Sequence, residues 1–314
     1  MSERAPSTPA VTYSIGDLIA HNRRNTRVLI TLYLLFVVLV GFGLGSIWAE
    51  HWMGGATACT IGLVILLVST FRGDRLVLSI SGAHPIGHAE APQLYNVVEE
   101  MSIAAGVPMP KVYIIDSDAP NALATGRDPE HASIAFTRGL LAKLNRDELQ
   151  GVAAHELSHI RNHDTHLAVM MGILLGLVAL AADGFLRSLR YRGRRRSWSG
   201  GGGRGGGSGV AVLVLLGILL AVVAPLFAKL LSLAVSRQRE FLADASAADL
   251  TRLPEGLARA LEKISRDPAV LDTANRATQH LYIVNPHLRL ADVDTVFATH
   301  PPIGERIRRL RAMR

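Results

Sequence analysis

A pair of histidines flanking a glutamate is the strongest chemical signal in this sequence of 314 residues. Residues 155–159 read His-Glu-Leu-Ser-His, an H-E-x-x-H motif that chance would supply only about 0.02 times in a chain of this composition. On a helix, His155 and His159 lie one turn apart on one face, where both can bind one zinc ion at about 2.0–2.1 Å. Glu156 projects beside them as a base for water. The motif predicts a catalytic zinc site; the alternative is a helix that only exposes two histidines.

A third metal ligand must come from outside the motif. The metzincin pattern would place a third histidine six residues after the motif, where this chain has Thr165. Residues 236–244 offer Glu240, with Asp244 one turn later on the same helical face, where it can orient a ligand histidine. Because arginines flank Glu240, an ordinary salt-bridged helix is equally compatible with this segment. His300 is the competing third ligand.

The composition favours a membrane protein over a cytosolic enzyme. Hydrophobic residues make up 49% of the chain and charged residues 19%. The formal charge of +7 and the pI near 10.0 would also suit nucleic acid binding, but basic cytosolic loops give membrane proteins the same excess. The single cysteine, Cys59, excludes an intramolecular disulfide and a cysteine-based zinc finger.

Two apolar runs near the N terminus predict a transmembrane hairpin. Residues 28–49 and 53–71 contain no charged side chain, so each run can cross about 30 Å of hydrocarbon as a helix. Arginines flank the outer ends of the pair, whereas the short connection at His51 and Trp52 has none. By the positive-inside rule, both ends face the cytoplasm and the connection faces outward.

The sequence from 75 to 166 predicts the first part of a soluble α+β domain, because short β-branched runs alternate with helical patterns. The predicted strands are 76–80, 112–115 and 133–136, and the predicted helices are 91–105 and 146–163. The H-E-x-x-H motif falls on the second of these helices.

Two further hydrophobic helices are predicted after the motif, at 167–186 and 210–235, joined by a flexible glycine- and arginine-rich linker at 187–209. If both helices span, the basic linker lies outside, against the positive-inside tendency; their length still favours spanning. Residues 236–314 complete the soluble domain, with prolines that suit helix starts near 253–255 and 299–302. The predicted division is therefore 1–74, 75–166, 167–235 and 236–314.

Four segments, taken together, resemble the HtpX-like membrane metalloproteases, relatives of the CAAX prenyl proteases. They are 121–126, 155–159, 240–244 and 299–302. The resemblance extends over nearly the whole chain and departs at Leu123, where the family often has phenylalanine. It implies an α+β, mainly α, fold that combines transmembrane helices with a gluzincin-type protease domain and a small β-sheet.

The same resemblance implies Glu240 as the third ligand of one Zn²⁺ per chain. It also implies a multi-pass protein of the bacterial plasma membrane, with the protease domain facing the cytoplasm and a role in quality control of misfolded membrane proteins. The expected partners are therefore unfolded or membrane-protein polypeptides and the lipid bilayer.

These residues predict a membrane-bound zinc endopeptidase. Three protein ligands leave the ion able to activate water and polarise a peptide carbonyl, while Glu156 moves the water's proton to the leaving amine. Asn121 is a candidate for binding the substrate backbone, or else a turn asparagine. His300 is a candidate for stabilising the oxyanion, or else a capping or buried histidine. Asp164 joins Asp244 as a candidate for orienting a ligand histidine.

Two other function classes compete with a protease. A catalytically silent zinc-binding scaffold or sensor would keep the ligands, but a purely structural site is closed and has no need of Glu156 as a base. The seven arginines of the 187–209 linker resemble an RNA-binding segment. Aromatic stacking partners are scarce there, with only Tyr191 and Trp198, so nucleic acid is not an expected partner.

Overall fold

The structure, a computed structural model, describes residues 51–173, 237–271, 278–284 and 301–313, together with part of the stretch 20–38. Within these residues, the helices with defined bounds are α1 (His51–Ile80), α2 (Pro92–Ala105), α3 (Arg138–Lys143), α4 (Arg146–Arg161), α5 (Arg237–Thr251), α6 (Pro254–Arg266) and α7 (Ile303–Ala312). Residues 24–32 and 164–173 are helical as well. The strands are β1 (Ala83–Pro85), β2 (Lys111–Ile115), β3 (Ala122–Gly126) and β4 (Ala132–Thr137). A mainly helical fold with a small sheet is confirmed.

The four strands form one mixed sheet in the order β1-β2-β4-β3, with β2 and β4 parallel and the other pairs antiparallel. Because side chains alternate between the two faces of a strand, the sheet supports two apolar clusters. Ile134 and Phe136 of β4 pack with α2 and α4 on one face, whereas Ala135 packs with Leu123 and Tyr282 on the other. The strands predicted at 112–115 and 133–136 are confirmed, and β3 lies at the edge of the sheet.

The strand predicted at 76–80 is wrong, because these residues form the last turns of α1. Val77 and Leu78 are buried next to each other, while Leu76 and Ile80 are exposed. A half-buried strand would bury alternate residues instead. A short apolar run does not show whether its residues follow a helical or a strand periodicity. Here residues 76–80 continue the preceding helix across the predicted domain boundary at 74/75.

Helix α4 carries the H-E-x-x-H motif and lies at the centre of the domain. It contacts α2, α5, α6 and β3. Asn145 begins the helix with a capping box, in which its side chain accepts from the Glu148 backbone and the Glu148 side chain accepts from the Asn145 backbone. The predicted helices at 91–105 and 146–163 correspond to α2 and α4. Neighbours on all sides therefore fix the direction in which the motif points.

The helix starts predicted at the prolines are also confirmed. Pro254 opens α6 at its first position, and α7 begins directly after Pro301 and Pro302. Both helices pack together and against α5, so these three helices join the domain that contains the motif.

Among the described residues, no helix combines the length and the apolar character needed to cross a membrane. The predicted run 53–71 lies within α1. The runs 28–49, 167–186 and 210–235 lie wholly or largely outside the described residues, as does the linker 187–209. The membrane spans remain predictions.

Gly151 is expected to be essential to the packing of α4, because a Cβ at this position would lie 2.7 Å from the backbone nitrogen of Leu257 in α6. Gly151→Ala should therefore lower the free energy of unfolding by about 1–3 kcal/mol, although alanine is the better helix former. Thermal unfolding of the purified chain measures this. Gly304→Ala in α7 is the matched control, since its Cβ would meet nothing within 4 Å, and it should be neutral or stabilising. Equal unfolding temperatures for both variants would contradict the tight crossing of α4 and α6.

Candidate metal centre

Three potential metal ligands converge where α4 meets α5. The Nε2 atoms of His155 and His159 lie 3.2 Å apart. Glu240 places Oε2 3.7 Å from His155 Nε2 and Oε1 3.6 Å from His159 Nε2. Donors at zinc bond lengths in a tetrahedral site are separated by roughly 3.3 Å, so this spacing suits one small cation. These residues form the one group of potential metal ligands that was found among the described residues.

The helical geometry of α4 brings the histidines together, and the tertiary fold brings the glutamate to them. The rings of His155 and His159 are nearly perpendicular, at 88°, with their centroids 4.8 Å apart. Glu240 lies in the first turn of α5, and its side chain is buried. Because α4 and α5 pack side by side, Glu240 lies next to the two histidines although it follows them by more than 80 positions in the chain.

Each histidine has a carboxylate beside the ring nitrogen that faces away from the cluster. Asp244 Oδ1 lies 3.0 Å from Nδ1 of His155, and Asp164 Oδ2 lies 3.0 Å from Nδ1 of His159. An imidazole that donates from Nδ1 keeps the lone pair of Nε2 for a metal. The structure thus places both aspartates where they can orient the two histidines.

Glu156 lies in the same cavity as the three potential ligands. The cavity is lined by residues of α4 and α5, by Ala124 of edge strand β3, and by residues 280–283. Burial raises the pKa of Glu156 to about 7, with a further contribution from the carboxylate of Glu240. The positive charges of His159 and Arg306 and the backbone of Ala124 act on this pKa in the opposite direction. A carboxylate with a pKa near neutrality can both accept and return a proton at physiological pH.

The two histidines differ in their protonation. Burial lowers the pKa of His155, and Asp244 only partly opposes this. Burial would also lower the pKa of His159, but its hydrogen bond to Asp164 and the charge of Glu240 raise that pKa to about 9. In the absence of a metal, His159 is therefore the histidine that is protonated on both ring nitrogens, and so positively charged, at neutral pH.

The charges around the histidines favour a divalent cation. Four buried carboxylates face two buried guanidinium groups; they belong to Glu156, Asp164, Glu240, Asp244, Arg239 and Arg306. When both histidines are neutral and all four carboxylates are ionised, these groups carry an excess of two negative charges. Buried charges that are not balanced are costly, and one divalent ion would neutralise this excess. The two imidazoles and one carboxylate are ligands typical of catalytic zinc sites.

Two predicted site residues do not join this cluster. Asn121 is buried, donates from Nδ2 to the backbone oxygen of Val284 at 2.9 Å and accepts at Oδ1 from the backbone N–H of Ala122. It does not line the cavity, and its role in substrate binding stays a prediction. His300 lies outside the described residues.

The sequence did not reveal two arginines at the site. Arg239 donates to Asp164 at a distance of 3.4 Å, and Arg306 of α7 is fully buried with both oxygens of Asp244 as acceptors. One available signal was the position of Arg306 four residues before the buried Leu310, on the inward face of α7. His280 and Tyr282, which line the cavity, had no comparable signal in the sequence.

Residues 88–314 match the sequence profile described as peptidase family M48. A protease HtpX homolog from Dictyoglomus turgidum is 42% identical and covers 96% of this chain and 95% of its own length. A homolog of the same name from Caldanaerobacter subterraneus is 42% identical, covering 96% of this chain and 98% of its own length. Another homolog of that name, from Streptococcus gordonii, is 41% identical and covers 95% of this chain and 99% of its own length. A crystal structure of S. mikatae Ste24p gives a TM-score of 0.49 at 18% identity, covering 94% of this chain and 67% of that one.

Zinc binding to the metal-free chain is expected to release a proton, because His159, with its pKa of about 9, must lose the Nε2 proton to bind a metal. The proton competes with the metal, so the apparent zinc affinity should rise with pH and level off above pH 9. Calorimetric titration at pH 8 in two buffers of different ionisation enthalpy counts the released protons. Asp164→Asn should reduce the count, since this carboxylate helps to raise the pKa of His159. A binding heat that does not depend on the buffer would contradict the protonated His159.

Proposed function

The chain belongs to peptidase family M48 and is a zinc metalloprotease; we propose that His155, His159 and Glu240 bind the zinc and that Glu156 is the catalytic base. The observation that carries this proposal is the placement of the Glu156 carboxylate in the cavity where the three ligands converge. A structural metal site would not need such a group beside its ligands. The chemistry of the cavity therefore supports hydrolysis of a peptide bond.

Glu156 moves the protons of the reaction. His155, His159 and Glu240 would hold the zinc ion, which would supply a Lewis acid for activating water and polarising the scissile carbonyl. Glu156 accepts a proton as the water oxygen bonds to the carbonyl carbon, and it returns that proton to the nitrogen as the carbon–nitrogen bond breaks. Asp244 and Asp164 hold the two imidazoles in orientation while this occurs.

The substrates of the proposed reaction are polypeptides in an extended conformation, such as unfolded or misfolded membrane proteins. Edge strand β3 supports this, because its residue Ala124 lines the cavity and an extended chain can add to the edge of a sheet. A folded domain would not present its backbone in this way. Quality control of misfolded membrane proteins fits such a substrate range.

Glu156→Gln is expected to lower turnover by about 10³-fold or more, because the variant loses the proton acceptor without losing a ligand. Zinc content should remain near one ion per chain. Hydrolysis of an unfolded polypeptide by the purified variant and the unchanged protein measures turnover, and metal analysis of the same samples measures zinc.

Glu240→Ala is the contrasting variant and should abolish tight zinc binding. His300→Ala should keep the metal and reduce turnover. Zinc retained without Glu240 and lost without His300 would overturn the ligand assignment. Zinc binding without hydrolysis by the unchanged protein would instead support the silent scaffold.

We further propose that the protein is attached to the bacterial plasma membrane, with the metal centre on the cytoplasmic side. Helix α1 supports attachment, because Ile61, Val64, Val68 and Phe71 along its length are each at least half exposed. A continuous apolar surface of this kind is unfavourable in water and suits contact with lipid. The arginines near 72 and 75 support the cytoplasmic side for the domain that follows.

The proposed orientation predicts different accessibility for two engineered cysteines in a chain whose own cysteine is replaced, Cys59→Ser. His51→Cys should react with a membrane-impermeant thiol reagent added to intact cells. Glu99→Cys, on the exposed face of α2, should react only after lysis. Ser199→Cys in the linker should react from outside if both later apolar segments span. External labelling of Glu99→Cys, or none of His51→Cys, would refute the orientation.

A further inference from the structure

Arg306 is a fully buried arginine whose contacts lie in three other parts of the domain. From α7, its guanidinium group contacts Asp244 and Glu240 of α5, His155 of α4 and the backbone of Ile283 in the cavity wall. It does not line the cavity, so it does not reach a substrate. We propose that Arg306 is a positioning residue that acts on the metal centre through the two carboxylates of α5. This inference rests on the proposed zinc site and adds a residue that lies in neither ligand helix.

The strongest link runs from Arg306 through Asp244 to His155. Nε of Arg306 donates to Oδ2 at 2.8 Å, and Nη2 donates to Oδ1 at 2.7 Å. Such a two-pronged pair fixes the plane of the carboxylate as well as its position. The same Oδ1 lies 3.0 Å from His155 Nδ1, so the carboxylate that Arg306 holds is within reach of the imidazole and can orient it.

A second link runs to the proposed third ligand. Nη1 of Arg306 lies 3.5 Å from Oε2 of Glu240, while Oε1 faces His159. The same Nη1 donates to the backbone oxygen of Ile283 at 3.0 Å. Arg306 therefore connects one oxygen of Glu240 to the cavity wall and leaves the other directed to the second histidine.

Arg306 also contacts a ligand atom directly, since Nη2 lies 3.4 Å from His155 Nε2. In this contact Nη2 donates toward the lone pair of Nε2, and because a guanidinium group has no lone pair of its own it cannot bind a metal. The role of Arg306 is thus to hold the groups around the ion and not to bind it.

The arrangement requires arginine and not only a positive charge. Two nitrogens hold Asp244 while the third contacts Glu240 and Ile283, and a lysine ammonium is a single point that cannot span both sides. Arg306→Lys is therefore the informative variant, because it keeps the positive charge and removes the paired N–H donors that hold both oxygens of Asp244. Arg308→Lys is the matched control, since Arg308 lies on the same helix, is 76% exposed and pairs with Glu305 at the surface.

Zinc affinity of the purified full chain, measured by competition with a chromophoric chelator, tests the proposal without relying on activity. Arg306→Lys should bind zinc about 10- to 100-fold more weakly, and turnover at saturating zinc should fall by a similar factor. Changes in KM should stay within about threefold, because Arg306 does not contact substrate. Arg308→Lys should behave as the unchanged protein.

A purely structural role for Arg306 predicts a different result. The unfolding temperature of Arg306→Lys in chelator would fall, while its zinc affinity and the increase in unfolding temperature on adding zinc would stay unchanged; that outcome overturns the proposal. Asp244→Asn supplies an independent measurement if the Arg306 variant does not fold. Since Arg306 acts mainly through this carboxylate, an Asp244→Asn chain that binds zinc as tightly as the unchanged protein also overturns it.

The double variant Asp244→Asn, Arg306→Lys should lose little more zinc affinity than the weaker-binding single variant, because both changes break one chain of contacts. Fully additive losses would show that the residues act independently and would refute the link. The same zinc titrations separate failure of the proposed metal centre from failure of this inference. If the unchanged protein binds no zinc, the proposed metal centre is wrong. If it binds zinc and the Arg306 and Asp244 variants bind zinc equally well, only the role of Arg306 is wrong.

Discussion

The burial of many charged groups in one small volume is the constraint on which the rest of this structure depends. Four carboxylates, two guanidinium groups and two imidazoles meet between α4, α5 and α7, mostly away from water. In such surroundings an unpaired charge costs several kcal/mol, so a group must lie beside a partner of opposite sign or, like Glu156, have its pKa shifted toward the neutral form. Pairing of this kind demands fixed positions, and fixed positions are what metal ligands need. The electrostatic requirement of folding and the geometric requirement of chemistry are therefore met by the same contacts.

The surrounding elements can be understood as the means of holding these positions. Helix α4 is enclosed by α2, α5, α6 and β3, and Gly151 permits a backbone approach that a larger residue would prevent. The capping box at Asn145 fixes where the helix begins and hence which residues face α5. Neither feature touches the proposed metal ligands. Both determine whether His155 and His159 point toward Glu240.

The cavity wall connects the metal centre to α1. Tyr282 pairs with Leu123 on the edge of β3, and its hydroxyl donates to Ser81 Oγ, next to the end of α1, at 3.0 Å. Ile283, its neighbour, donates to the Ala122 oxygen and accepts from Arg306. Part of the edge of β3 is therefore already paired within the chain, and Ala124 is the strand residue that lines the cavity. The helix proposed to contact lipid and the wall of the cavity are thus joined through one buried tyrosine.

The sequence alone determined those features that depend on short spacing. The H-E-x-x-H motif fixes two histidines on one helical face by local geometry, and prolines fix the starts of α6 and α7. Asp244 was accessible to the same reasoning, because it lies one turn from Glu240. For Glu240 itself, spacing left a salt-bridged surface helix as an alternative, and only the resemblance to known proteases favoured a ligand.

Only the tertiary structure decided which distant groups meet. The run 76–80 forms helix because the helix before it continues, which a five-residue pattern does not show. Asn121 pairs with Val284, 163 residues away, and Arg306 meets Asp244 across 62 residues. No local rule predicts such pairs, because the energy that fixes them comes from burial, and burial exists only once the helices have packed.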